Sequence, residues 1–264
     1  MKKLRGKKLV LFIAILCILL GSISLGTGVH MGMKYNQQFK WKWFHYDDEI
    51  ITKAIADEAI SFGDIASMNI EANGIDVTIE YGDENEILIQ NIAKKNIHVD
   101  EHGDQLDVDV HRTRHKNGKM TIYLKKDVEL HDFDLETNAC NVSIFKLATN
   151  DLSIQGSASD IDLVDMSIQN QFALELSAGS FQGDIKDVKM ISIESDISDI
   201  KLSLKDLQEA FNYDIENNLG RICYGNIELK GVGNQKDMHS NRQKVISIDA
   251  NASDIDVLFS ALAI

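Results

Sequence analysis

The chain has 264 residues, 44% of them apolar and 26% charged, a balance that excludes a disordered chain and a multi-span membrane protein. Its 41 acids outnumber 27 bases for a formal charge of −14, yet residues 1–29 hold five bases and no acid, which leaves the remainder at −19. So acidic a body repels nucleic-acid phosphates, and it repels anionic lipid and wall polymers unless divalent cations intervene.

The five early bases are Lys2, Lys3, Arg5, Lys7 and Lys8, a basic tail over residues 1–8. Twelve unbroken apolar residues follow from Leu9 to Leu20, and no formal charge appears between Lys8 and Lys34. At about 1.5 Å per residue, residues 9–29 cross a hydrocarbon layer of ~30 Å as one transmembrane helix. The basic tail keeps the N-terminus in the cytoplasm and places the acidic body outside, so the expected location is the cell membrane, single-pass. Tyr35, Trp41, Trp43, Phe44 and Tyr46, interleaved with Lys34, Lys40 and Lys42, suit an outer membrane–water interface. A cleaved signal peptide shares the first half of this pattern, with Ser22 and Ser24 as small residues, and would give a secreted body instead. Cys17 follows the bulky Ile15-Leu16 and reads as a lipid-facing thiol rather than a lipoprotein site.

Residues 30–65 form a juxtamembrane linker, where Ile50, Ile51, Ala54, Ile55, Glu58 and Ala59 carry weak helical spacing and predict a short helix. Residues 66–264 form the exterior domain. Its first segment, Met68-Asn69-Ile70-Glu71-Ala72 then Ile75-Asp76-Val77-Thr78-Ile79, introduces a phrase of two alternating strands around a small residue. Next, Leu106, Val108 and Val110, then Met120, Ile122 and Leu124, predict a β-hairpin with Asn117-Gly118 in its turn. Its tip holds Arg112, Arg114, Lys116 and Lys119, a candidate site for an anionic head group or phosphate polymer, or a charged tip that blunts an edge.

The phrase then recurs at 133–144 and at 152–163. Leu174-Glu175-Leu176-Ser177-Ala178 continues it, followed by Phe181, and so do Ile191–Leu202 and Ile246–Val257. The central positions Leu135, Ile154, Leu176 and Ile193 step by 19, 22 and 17 residues. Two short strands every twenty or so residues predict an all-β solenoid of stacked coils, with a β-sandwich as the alternative. Gly156, Ala178, Ser195 and Ala250 take equivalent corner places, and serines fall in turns or outward strand positions. Within the interruption at 205–243, Tyr213–Glu216, Leu219–Ile222 and Ile227–Leu229 read as short strands and Gly231–Arg242 as an exposed loop. The apolar end, residues 258–264, closes the stack. Cys140 and Cys223 read as buried free thiols; pairing requires Cα atoms within about 7 Å.

The basic N-terminus and single span, the strand Met120-Thr121-Ile122-Tyr123-Leu124 and the phrase Leu152–Leu163 together resemble the bacterial toastrack family, whose members are often labelled adhesins. Tyr213–Ile222 is similar to that family's late strand–Gly–strand feature, and the resemblance covers roughly residues 66–258. It implies a right-handed parallel β-solenoid outside the membrane of a Gram-positive-type bacterium, and a link of some relatives to envelope-stress signalling. A proline commonly follows the 120–124 strand in the family, and Lys125 stands there instead. No catalytic residue comes with the resemblance.

His98 and His102, and His111 and His115, are four apart, a metal-ligand spacing on a helix but not in the polar stretch and hairpin expected here; they read as solvated histidines. Asp160, Asp162, Asp254, Asp256, Asp76, Asp196 and Asp199 read as turn and solvated-face residues rather than a calcium stack, so no metal or cofactor is expected. No nucleophile–base arrangement has local context. The function expected is non-enzymatic: a membrane-anchored surface protein presenting its solenoid to a membrane-protein or envelope ligand, in stress sensing or regulation. Adhesion between cells is the alternative. A polysaccharide-active enzyme is a remote one, lacking the basic groove and aromatic platforms that acidic sugars require.

Overall fold

The computed structural model describes residues 55–112, 117–126 and 128–260, all within one unit, Ala54–Ile264. The apolar run 9–29 and the aromatic–lysine stretch after it lie outside the described residues. Among those described, no helix is long and apolar enough to cross a membrane.

The described chain is all-β. In chain order its strands are β1 (Ile55–Ser61), β2 (Ser67–Asn73), β3 (Ile75–Gly82), β4 (Glu86–Ala93) and β5 (Ile97–His102). Then come β6 (Gln105–His111), β7 (Gly118–Lys125), β8 (Glu129–Asn138), β9 (Asn141–Phe145) and β10 (Ala148–Lys186). The last five are β11 (Met190–Leu204), β12 (Phe211–Tyr224), β13 (Ile227–Lys230), β14 (Gly233–Asp237) and β15 (Lys244–Phe259). All join one hydrogen-bonded sheet. Fully extended, the 39 residues of β10 would run about 125 Å; instead the strand bends and returns, so that its two halves form successive rungs.

Each rung has two arms joined by a corner, and neighbouring rungs pair in parallel. Leu135 lies beside Ile154 and Val142 beside Ile161, nineteen positions apart in each case. Leu174 lies beside Ile193 and Phe181 beside Ile200 at the same spacing. Alternation dictates this packing: odd and even side chains point to opposite faces. Ile70, Leu135, Ile154, Leu174, Ile193 and Ile248 therefore fill one interior with Ile79, Ile144, Ile161, Ile200 and Ile255 from the other arms, all of them buried. Burying each such side chain stabilises the stack by about 1.5–3 kcal/mol.

The stacking order departs from the chain order at both ends. Strands β6 and β7 do not form the expected hairpin. β6 pairs in parallel with β2, and β7 with β3, so they are the two arms of a rung lying outside the first sequence phrase. β2 in turn pairs with β8 on its other side. At the far end β15 sits between β11 and β12, so the interruption at 205–243 contributes the outermost rung. Tyr213–Glu216 and Leu219–Ile222 are the two arms of β12, with Gly220 at their corner.

Antiparallel strands close the two outer rungs: β5 on β6 and β4 on β7, with β1 beyond β4, and β14 and β13 on the two arms of β12. Closing terminal rungs in this way keeps the stack from growing by pairing with other chains. Two expectations are corrected here. Ile55–Ser61 is strand rather than helix, because its backbone hydrogen bonds go to β4. The stretch 231–242 is not all loop, because Gly233–Asp237 pairs with Asn217–Tyr213.

Corners repeat with the rungs. Ala139 and Ala158 both take left-handed φ, 54° and 52°, nineteen residues apart, and so do Lys146 and Asp165, 56° and 54°. Gly179 (φ 119°) is required at its corner: a Cβ there would lie 2.0 Å from the Ser159 carbonyl oxygen. The inward place just before the corner is held by Ala72, Thr137, Gly156, Leu176, Ser195 and Ala250, not by Ala178, which pairs with Ile197. The expected alignment slipped by two residues at this rung, which keeps every side chain on its face. Leu176 occupies the space Gly156 leaves, since a Cβ on Gly156 would meet Leu176 Cδ1 at 2.6 Å.

Serines are not confined to the outside. Ser159, Ser195, Ser198 and Ser253 are buried at the corners. There they satisfy backbone groups that turning frees from the ladder: Ser159 Oγ accepts from the Cys140 amide at 3.2 Å, and Ser253 Oγ from the Ser198 amide at 3.1 Å. Cys140 and Cys223 are both free, Cys140 buried but Cys223 only half-buried. At Lys125, where the resemblance leads one to expect proline, the backbone amide donates to Asn85 Oδ1 at 2.8 Å, a bond proline is unable to make.

Candidate binding face

The outward side chains of the two arms differ in how their charges are handled. On the second arm, several acids meet partners in neighbouring rungs. Asn141 Nδ2 donates to Asp76 at 2.7 Å, Ser180 Oγ to Asp160 at 2.6 Å, and Arg221 bridges Asp256 at 2.9 Å. Lys205 reaches Asp184 at 2.9 Å.

On the first arm, one row of outward positions has little such relief, His111 beside Asp109 being its one cationic neighbour among the described residues. From the outermost rung inward it reads Asp109, Glu71, Glu136 and Gln155, each directly beside the next. From the following rung it continues as Glu175, Glu194, Asp249 and Glu216. Adjacent strands are about 4.8 Å apart, so carboxylates stand side by side along the stack. Among the described residues, Glu71, Glu136, Glu175, Glu194, Asp249 and Glu216 form no ion pair. The neighbouring row is different: Asn69 sits between Asp107 and Asp134 and donates to Asp107 at 2.8 Å. Burial, reinforced by the charge of Asp132, raises the pKa of Asp134 above the ordinary carboxylate value. Together Asn69, Glu71, His98, Asp107, Asp109, Asp134 and Glu136 line a shallow recess on this face.

Of the basic residues singled out in the sequence, the two that are described, Arg112 and Lys119, are not at a hairpin tip. Arg112 follows β6 and packs its side chain against Gly74, and Lys119 lies in β7 between Asp76 and Gln90. Arg114 and Lys116 lie outside the described residues, as does His115. His98 and His111 are on strands, where spacing of four has no ligand meaning. His111 stands instead beside Asp109, two residues back on the same face of β6, at 3.0 Å. The carboxylate row escaped sequence reasoning because its members come from rungs far apart in the chain; the signal available was one acid at the outward position of nearly every phrase.

The Toastrack DUF4097 family model matches residues 65–198, from just before β2 to the corner of β11. The chain belongs to the toastrack family. No curated protein matches it. Among solved structures, this toastrack chain is similar to a "putative cell adhesion protein" from Clostridium sporogenes, at 9% identity and TM-score 0.37, over 78% of this chain and 100% of that one. It is also similar to a "putative adhesin" from Bacteroides fragilis, at 13% identity and TM-score 0.35, over 78% and 98%. A third similar structure is a "putative lipid binding protein" from Parabacteroides distasonis, at 12% identity and TM-score 0.27, over 78% and 94%.

Proposed function

We propose that this toastrack protein is a non-enzymatic surface receptor of the cell envelope, held by residues 9–29 as a single-pass span with its N-terminus in the cytoplasm. Its exterior domain, read as a right-handed parallel solenoid, binds a cationic protein or envelope ligand in stress sensing or regulation. The observation that carries this reading is the row Glu71–Glu136, continued by Glu175–Glu194–Asp249–Glu216, whose carboxylates form no ion pair among the described residues while several acids of the second arm have partners. Like charges directly opposite on neighbouring strands destabilise a sheet, and a cationic partner removes that repulsion while gaining steered association. In the same reading Arg112, Arg114, Lys116 and Lys119 are a separate contact for an anionic head group.

The test is crosslinking in intact cells with the full chain. A membrane sensor or regulator is expected to be recovered with the natural chain and lost with the double change Glu136→Lys, Glu194→Lys. Recovery that survives the charge reversal overturns the acidic face as the binding surface. Protease added to whole cells is expected to remove the exterior domain; a protected domain overturns the topology.

A further inference from the structure

We infer that Glu71, Asp109 and His111 form a binding site for a divalent transition-metal ion of the zinc class. One ligand atom from each lies within 4.8 Å of the other two. Donors around tetrahedral Zn²⁺, each at about 2.0–2.2 Å from the metal, are roughly 3.4 Å apart, so rotation of three solvent-accessible side chains closes the set.

The fold produces this convergence by two separate rules. Asp109 and Glu71 are directly opposite in the parallel ladder of β6 and β2, and His111 is two residues on from Asp109, hence on the same face. The Asp109–His111 pair has the spacing of two donors that share a cation. Asp109 Oδ1 accepts no hydrogen bond among the described residues and stands 3.0 Å from His111 Nε2, in a pair whose side chains are 41% and 45% exposed. An imidazole nitrogen and a carboxylate oxygen that face each other closely without hydrogen-bond geometry are both satisfied by a cation between them.

The surroundings favour the same ligand. Glu136 stands beside Glu71 on the other side and adds negative potential without a compensating base. His98 stands opposite Asp109 on β5 and lines the same recess, although its Nε2 is engaged with Asp100 at 3.0 Å. Imidazole among the donors selects zinc-class ions over calcium and magnesium, which take oxygen alone. Three protein donors leave one tetrahedral position to water or to a partner's side chain. The metal site shares Glu71 and Asp109 with the carboxylate row, but its test reads metal binding alone and does not depend on the receptor reading.

The experiment is calorimetric titration of Zn²⁺ into the full-length chain, purified in detergent and stripped of metal with EDTA, at pH 7.5. One equivalent is expected to bind with a dissociation constant of about 10 µM or below. His111→Ala and Glu71→Gln are each expected to weaken binding about tenfold or more in chains that still fold and melt cooperatively without metal, and His239→Ala is expected to leave binding as it was. Co²⁺ in place of Zn²⁺ is expected to give the intense visible bands of a four-coordinate site, lost in His111→Ala. Absence of saturable binding, binding that survives His111→Ala, or displacement by equimolar Ca²⁺ overturns the site.

Discussion

Ser195 and Ser253, 58 residues apart in the chain, share a hydrogen bond of 2.7 Å between their hydroxyls in the interior of the stack. The same Ser253 hydroxyl accepts from the Ser198 amide at 3.1 Å, so one oxygen ties the corner of β11 to that of β15. Ser253→Ala leaves a buried amide and a buried hydroxyl without their partner. We expect a loss of about 1–3 kcal/mol in denaturant unfolding. Ser180→Ala, at an exposed hydrogen bond to Asp160, is expected to cost about 0.5 kcal/mol or less. Equal costs for the two would remove the corner serines from the account of stability.

Corners divide into those that tolerate a Cβ and those that exclude it. Ala158 holds φ at 52°, a left-handed conformation that costs an alanine about 1 kcal/mol relative to glycine. Ala158→Gly is expected to raise the unfolding midpoint. Gly220→Ala is expected to abolish the native corner, because its Cβ would lie 2.2 Å from the Ser253 carbonyl oxygen at a φ of 98°. Circular dichroism melts of the two variants should move in opposite directions.

The carboxylate row stores repulsion that salt screens. Glu194 has Glu175 on one side and Asp249 on the other. Glu194→Gln is expected to stabilise the domain by about 0.5 kcal/mol at low ionic strength. Raising NaCl from about 10 mM to about 0.3 M should increase the melting temperature of the natural chain more than that of the variant, since screening replaces the relief the substitution supplies. A variant less stable than the natural chain at low salt contradicts unrelieved repulsion.

Tyr224 is buried against Tyr213 and Phe259, with ring centroids 5.0 and 4.9 Å away, and its hydroxyl finds no partner among the described residues. Burial, reinforced by the Tyr213 phenol, holds its pKa well above the ordinary value of about 10. The folded state therefore keeps the proton where the unfolded chain releases it. The contribution to stability is complete below about pH 10 and falls as pH rises from there toward the folded pKa, with a limiting slope of about 1.4 kcal/mol per pH unit. Tyr224→Phe should flatten this alkaline limb and leave stability at pH 7 equal or higher. A limb unchanged by the substitution assigns alkaline unfolding to other groups.

Strand phase was legible in the residues themselves. In Ile161-Asp162-Leu163, as in Ile255-Asp256-Val257, alternation assigns the apolar side chains to the interior and the acids to solvent, and the structure buries Ile161, Leu163, Ile255 and Val257 accordingly. That information is local, because alternation needs only a residue's neighbours along one strand. It also survives misalignment: placing Leu176 where Leu174 belongs shifts the register by two and changes no face.

What the chain order did not reveal is which rung lies beside which. Nothing local to Leu106–Val110 distinguishes a hairpin arm from a strand parallel to β2, since both bury the same three side chains. Nor does Ile246-Ser247-Ile248 announce that it enters between β11 and β12. Those choices rest on interior volume and on hydrogen bonds between distant segments, which exist only once the rungs stack. The carboxylate row and the meeting of Glu71, Asp109 and His111 follow from the same stacking. Sequence alone thus determined the faces of the strands and the acidity of the outer surface. Tertiary structure decided which acids are neighbours, because adjacency across a parallel ladder depends on the stacking of rungs and not on distance along the chain.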